Sequence, residues 1–225
     1  MTARRAARRA AAALLLLALA LGLALEWVPN DADQGFSQRI FYLHVPVALT
    51  AYACFGTAAW KALRVLGTGD ERYDVESSVA VHVGTIFGAL TLLTGSIWAR
   101  ISWGVWWTWS ENQLVLFLVI FLFYSTYFML RHAVPAGTAR ERLSAVFALV
   151  GVVLIPVSFL AIRLAANFIH PVVITQRGPQ MAPSMLLAFT VSVAGMFALA
   201  SALYAFEVAG KLLDRRLRTL RELIA

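Results

Sequence analysis

Cysteine occurs once in the 225 residues, at Cys54, so the chain can build neither a disulfide framework nor a CxxC redox or metal motif. Charge is also scarce: 14% of residues are Asp, Glu, Lys or Arg, with 12 acids against 19 bases. A soluble domain is excluded, because a chain that is 60% hydrophobic exceeds what a fold of this size can hide. No GxxxxGK[ST] phosphate loop is present, so any ATP use would belong to a partner. Acids are missing from the middles of the apolar runs, where a proton- or solute-coupled transporter places ionisable groups; Glu76 and Glu207 stand at run ends. Cys54 falls inside the second run, where a packing role is expected.

Long apolar runs are what the chain has instead. Six of them, at 10–28, 40–60, 77–98, 113–130, 143–165 and 184–209, reach the roughly 20 residues a bilayer crossing takes. Unpaired backbone groups are not tolerated in lipid, so runs of this length are helices; barrel strands would be shorter and alternate in polarity. The expected fold class is an all-α integral membrane protein. It is one six-span domain over 1–225, with an outer Trp-rich interfacial segment, 99–112, between the third and fourth helices.

Fifteen of the nineteen Lys and Arg residues fall in the two tails and the second and fourth connections. The positive-inside rule then puts both termini in the cytoplasm and the odd-numbered connections outside. The net charge of +7 needs no nucleic acid to explain it, since basic tails beside an anionic leaflet suffice. The opening "MTARRAARRAAAALLLLALALGLALEW" also has the form of a signal peptide. Retention is expected, because the apolar run extends to Val28 and its removal would leave five spans and strand one terminus.

On that topology "WGVWWTWS" lies in the outer connection between spans three and four, and five of the seven tryptophans lie between Trp98 and Trp109. An aromatic belt accounts for Trp27 or Trp98 singly. It accounts less well for Trp103, Trp106, Trp107 and Trp109 together. On a helix, positions 103, 106 and 107 would share one face, with 109 set off. Such a platform suits a large, flat, apolar ligand, and docking of another protein is the competing use.

Of the four histidines, His44 sits at the outer mouth of span two and His170 just past the outer end of span five, where Pro171 disfavours helix at the residue before it. Two imidazoles flanking an aromatic platform are what a haem iron accepts as axial ligands. Haem propionates need cationic partners, and Arg39, Arg100, Arg163 and Arg177 are the bases that run against the inside bias. Arg39, near His44, is the first candidate for a bidentate contact, followed by Arg100 and Arg177; for Arg163 snorkelling is expected.

These stretches resemble a known family. "WGVWWTWS" looks like the WWD motif of haem-handling proteins. "QRIFYLHVP", "LLTGSIWARISWGVWWTW" and "GPQMAPSML", with the six spans, resemble the CcmC family of cytochrome c maturation. The resemblance implies a bacterial inner-membrane protein, not an enzyme, that holds haem b as transient cargo on the outer face. It implies His44 and His170 as axial ligands and a platform of Trp103, Trp106, Trp107 and Trp109. The implied partners are the haem chaperone CcmE, the CcmAB ABC transporter and CcmD. One departure stands out: the family motif runs from Trp into Asp and a short Arg-containing stretch, whereas this chain reads "WSENQLVL", with Ser110 at the Asp position and Glu111 as the shifted acid.

A rival reading uses all four histidines. His82 and His132 fall near the inner face and could ligate a second haem, giving a cytochrome b-like carrier or a transmembrane conduit. The bland roles for this pair are an interhelical hydrogen bond and a solvated helix exit. A purely structural assembly subunit is the third class, favoured if purified protein bound no haem.

Overall fold

The computed structural model describes residues 3–30, 34–164, 174–175 and 178–224. Six long helices follow one another: α1 (Ala3–Gly22), α2 (Phe41–Thr68), α3 (Glu71–Trp103), α4 (Asn112–Ala133), α5 (Thr138–Leu164) and α6 (Pro183–Ile224). All six carry a stretch long and apolar enough to cross a membrane. A π-helical turn, Leu23–Trp27, continues α1, and a 3-10 turn, Phe36–Ile40, leads into α2. Between α5 and α6 a two-residue antiparallel ladder joins β1 (Ile174–Thr175) to β2 (Gly178–Pro179).

The helices run past the apolar stretches because hydropathy marks the part in lipid, whereas a helix continues until something caps it. Asp70 caps the start of α3, its Oδ1 accepting from the Arg72 N–H at 2.8 Å. The other end stops at Gly104, whose φ of 78° lies in the left-handed region that glycine adopts without strain. Residues 99–103, expected in the outer loop, are therefore the last turn of α3. The connection to α4 is residues 104–111 and is not helical, so Trp103, Trp106 and Trp107 do not share a helix face.

Within lipid, helices associate through close packing rather than hydrophobic exclusion, which favours small residues at their seams. Ala51, Ala58 and Ala62 on α2 are fully buried, in the same core cluster as Val79 and Val83 of α3, and α2 packs along α3. Cys54 packs against the same core. Further pairings set α1 along α6 and α4 along α5. Phe55 stacks on Tyr124 with ring centroids 3.8 Å apart, and the Tyr124 hydroxyl donates to the Ala148 carbonyl, joining α2, α4 and α5.

Connections of a few residues, 69–70 and 134–137, force antiparallel neighbours. The Trp-rich connection, the start of α2 and the residues before α6 thereby gather at one end of the bundle. The opposite end is basic and held by ion pairs centred on α3. Asp74 is met by Arg131 of α4 and Arg215 of α6, and Glu76 by Lys61 of α2 and its own helix's Arg72.

Candidate functional site

At the Trp end, α2, α3 and α4 enclose a cavity of about 410 Å³, a volume typical of a small-molecule site. Its wall is mostly apolar, with Leu49, Phe117 and Met185 among the lining residues, and its aromatic face is Trp98, Trp103 and Trp107. His44 lines it too. The described lining residues include no Asp, Glu, Lys or Arg.

His44 is oriented from α3. Its Nδ1 lies 2.9 Å from Thr94 Oγ1, and the Thr94 hydroxyl donates to the Leu90 carbonyl one turn back at 2.8 Å. With its proton committed there, the threonine oxygen accepts from Nδ1–H. The tautomer this network assigns places the imidazole lone pair on Nε2, the form in which a histidine ligates a metal. Gly95 makes the approach possible, since a Cβ there would sit 2.9 Å from His44 Cε1. Neither Thr94 nor Gly95 was singled out from the sequence, although both lie inside "LLTGSIWAR". Their adjacency to a histidine fifty residues earlier has no local signal.

Two measurements follow. Thr94→Val keeps the shape and removes the acceptor, and is expected to weaken haem binding about tenfold, as loss of the group that orients a ligating histidine does. Gly95→Ala is expected to push the ring off its position and to shift the haem absorption bands, read in an optical titration of the purified variant.

The tryptophans divide. Trp98 is 8% exposed, its Nε1 donates to Gln34 Oε1 at 3.3 Å, and its ring meets Trp103 edge to face at 4.9 Å. Trp107 also lines the cavity, edge to face with Trp109 at 5.7 Å. Trp106 and Trp109 are 60% and 72% exposed and are not among the lining residues. The structure thus brings Trp103 and Trp107 to the cavity together with Trp98, which the sequence reading left to the interfacial belt. It turns Trp106 and Trp109 outward.

The connection is fixed without the missing Asp and Arg. Thr108 and Ser110 share a hydroxyl–hydroxyl bond of 2.8 Å. Glu111 is 2% exposed at the head of α4, where the helix dipole favours a carboxylate.

Arg39 and Arg100 are occupied elsewhere. The Arg39 guanidinium donates to the carbonyls of Ala24, Leu25 and Val28 and to Asn30 Oδ1. It closes off the C-terminal end of the first span, where helix carbonyls lack partners. Arg100 donates to the Gly104 carbonyl. His170 and Arg177 lie outside the described residues, as does the side chain of Arg163. Of the other two described histidines, His82 Nδ1 is 2.8 Å from Glu207 Oε2 on α6, and His132 Nδ1 donates to the Phe128 carbonyl of its own helix at 2.7 Å. The bland roles for this pair are the ones the structure displays.

An imidazole held in the ligating tautomer beside a tryptophan-walled apolar cavity fits a haem-handling protein, and similarity searches point the same way. The family model for CcmC, heme exporter protein C, matches residues 1–223. The chain belongs to the heme exporter protein C family. It is 32% identical over 198 residues to heme exporter protein C of Paracoccus denitrificans, covering 85% of this chain and 80% of that one. To the Bradyrhizobium diazoefficiens protein of the same name it is 30% identical over 205 residues, 90% and 78% of the two chains. The Escherichia coli protein is 31% identical over a shorter stretch of 131 residues, 58% of this chain and 53% of that one. Membership makes this a multi-pass membrane protein of haem transport and cytochrome c biogenesis.

Proposed function

We propose that the cavity at the Trp end receives haem b as cargo and presents it for transfer, with His44 as one axial ligand and His170 as the other. The observation that carries this reading is the His44–Thr94 contact at 2.9 Å on the wall of a tryptophan-lined cavity, which selects a metal-ligating tautomer. The porphyrin packs against Trp103 and Trp107, which shield it from water. The exposed Trp106 and Trp109 remain available to a docking protein, which the family suggests is CcmE. CcmE takes the porphyrin edge and leaves with it as the axial bonds exchange, and no covalent step falls to this chain. Arg177 remains the candidate for a propionate contact from the segment before α6; Arg39 and Arg100 hold backbone carbonyls and are not among the described residues that line the cavity.

The same reading places the Trp end on the outer face of a bacterial cytoplasmic membrane, with both termini inside and CcmAB and CcmD as the remaining partners. The distribution of Lys and Arg supports that orientation. The experiment is an optical spectrum with haem counted per chain, followed by transfer to purified CcmE, comparing wild type with His170→Ala. One haem per chain, with reduced retention and transfer in the variant, is the expected result. Two haems per chain would favour the carrier or conduit that uses His82 and His132. Normal retention in His170→Ala would remove that ligand, and no haem in any form of the protein would favour an assembly subunit.

A further inference from the structure

The polar atoms inside the cavity form a pattern that the axial ligands do not use. Gln38 is 5% exposed; its Nε2 donates to the Tyr42 hydroxyl at 3.2 Å, while its Oε1 is buried with no hydrogen-bond partner. Trp107 Nε1 and Gln113 Oε1 are likewise buried and unpartnered, and all three residues line the cavity. Buried polar groups are nearly always paired, and each exception costs stability. Three exceptions from three separate segments, meeting at one cavity, are the mark of a site whose ligand completes the bonds.

The chemistry of that ligand follows from the set. An indole N–H can only donate, while a glutamine amide can turn to offer either an oxygen or an NH2. Together they suit a group with two oxygens, and a carboxyl is the one haem carries. The cationic alternative is weak here, because the described lining residues bear no charge.

Resting on the reading that the cavity holds haem, we propose that Gln38, Trp107 and Gln113 form a neutral hydrogen-bonding seat for a haem propionate group. A seat without an ion pair suits a carrier. A buried charge pair is strongly disrupted when one partner leaves, whereas uncharged donors leave no stranded charge behind when the carboxylate departs.

The test compares haem with its dimethyl ester, in which both carboxyl groups are blocked, by titrating each into purified wild type and into Gln38→Leu, Trp107→Phe and Gln113→Leu. Wild type is expected to prefer haem over the ester by about tenfold or more. Each variant is expected to lose about tenfold or more in haem affinity, the size of one hydrogen bond to a charged group. Ester affinity should stay near wild type in Gln38→Leu and Gln113→Leu, which also shows that these two are folded, whereas Trp107→Phe, on the porphyrin wall, is read only by its loss of preference for haem over the ester. Haem and ester binding equally to wild type, or variants that keep the wild-type preference, would overturn the seat. His44→Ala in parallel separates the two claims. If that change abolishes the ligated spectrum while the three variants keep the wild-type preference, the cavity reading stands and the seat falls. If no form binds haem, the cavity reading itself falls, and the seat with it.

Discussion

His44→Ala is expected to lower haem affinity by at least the ~10–100-fold that changes to a ligand's supporting groups cause, read in an optical titration against wild type. The change removes a ring whose Nδ1 is held by Thr94 and whose edge lies against Gly95, and no other histidine lines the cavity among its described residues. Helix formation should be unaffected, since His44 is only half-buried in the first turn of α2 and α2 packs along α3, with Ala51, Ala58 and Ala62 buried further along. A second measurement makes the prediction sharper. The space left by the ring keeps the Thr94 acceptor in place, so free imidazole added to His44→Ala should re-enter it and restore the ligated absorption bands. Retention of a wild-type spectrum by the variant without imidazole would end the assignment of His44.

The spans were legible in the sequence because bilayer thickness imposes a length, and length is a property of a single segment. The convergence of His44 with the Trp-rich connection was legible for the same reason: alternating helices must return every second connection to the same end. What was not legible depended on single residues acting across the bundle. Gly104 ends α3 in a left-handed turn, and in the non-helical connection that follows Trp107 lines the cavity while Trp106 and Trp109 are exposed. Trp98 has the same sequence environment as a belt residue, and only its bond to Gln34, sixty-four positions away, marks it as wall. Arg39 and Arg100 drew attention as charges out of place. Arg39 meets backbone carbonyls and the Asn30 side chain, and Arg100 meets a backbone carbonyl, contacts that no sequence pattern displays.

At the opposite end of the bundle the largest loss of stability is expected from Asp74→Ala. Asp74 is 1% exposed and accepts two bonds from Arg131, at 2.6 and 2.8 Å, in the bidentate geometry that makes carboxylate–guanidinium pairs strong. Arg131 also donates to the Tyr127 hydroxyl, and Arg215 approaches the same carboxylate at 3.5 Å while pairing with Glu71. Three helices, α3, α4 and α6, therefore meet on one buried acid. The sequence offered Arg131 and Arg215 only as part of a topological count. Removing the carboxylate leaves Arg131 largely buried without its counter-charge, a change that costs about 3–5 kcal/mol in comparable pairs. It should appear as a large drop in the apparent melting temperature of the detergent-solubilised protein. The double variant Asp74→Leu with Arg131→Met should recover much of that loss, because two apolar side chains leave no charge stranded. Haem affinity per folded molecule should be unchanged in both, since the pair lies at the far end of the bundle from His44. A single variant that melts with the wild type would mean that water or lipid headgroups reach Arg131 as well as Asp74 does.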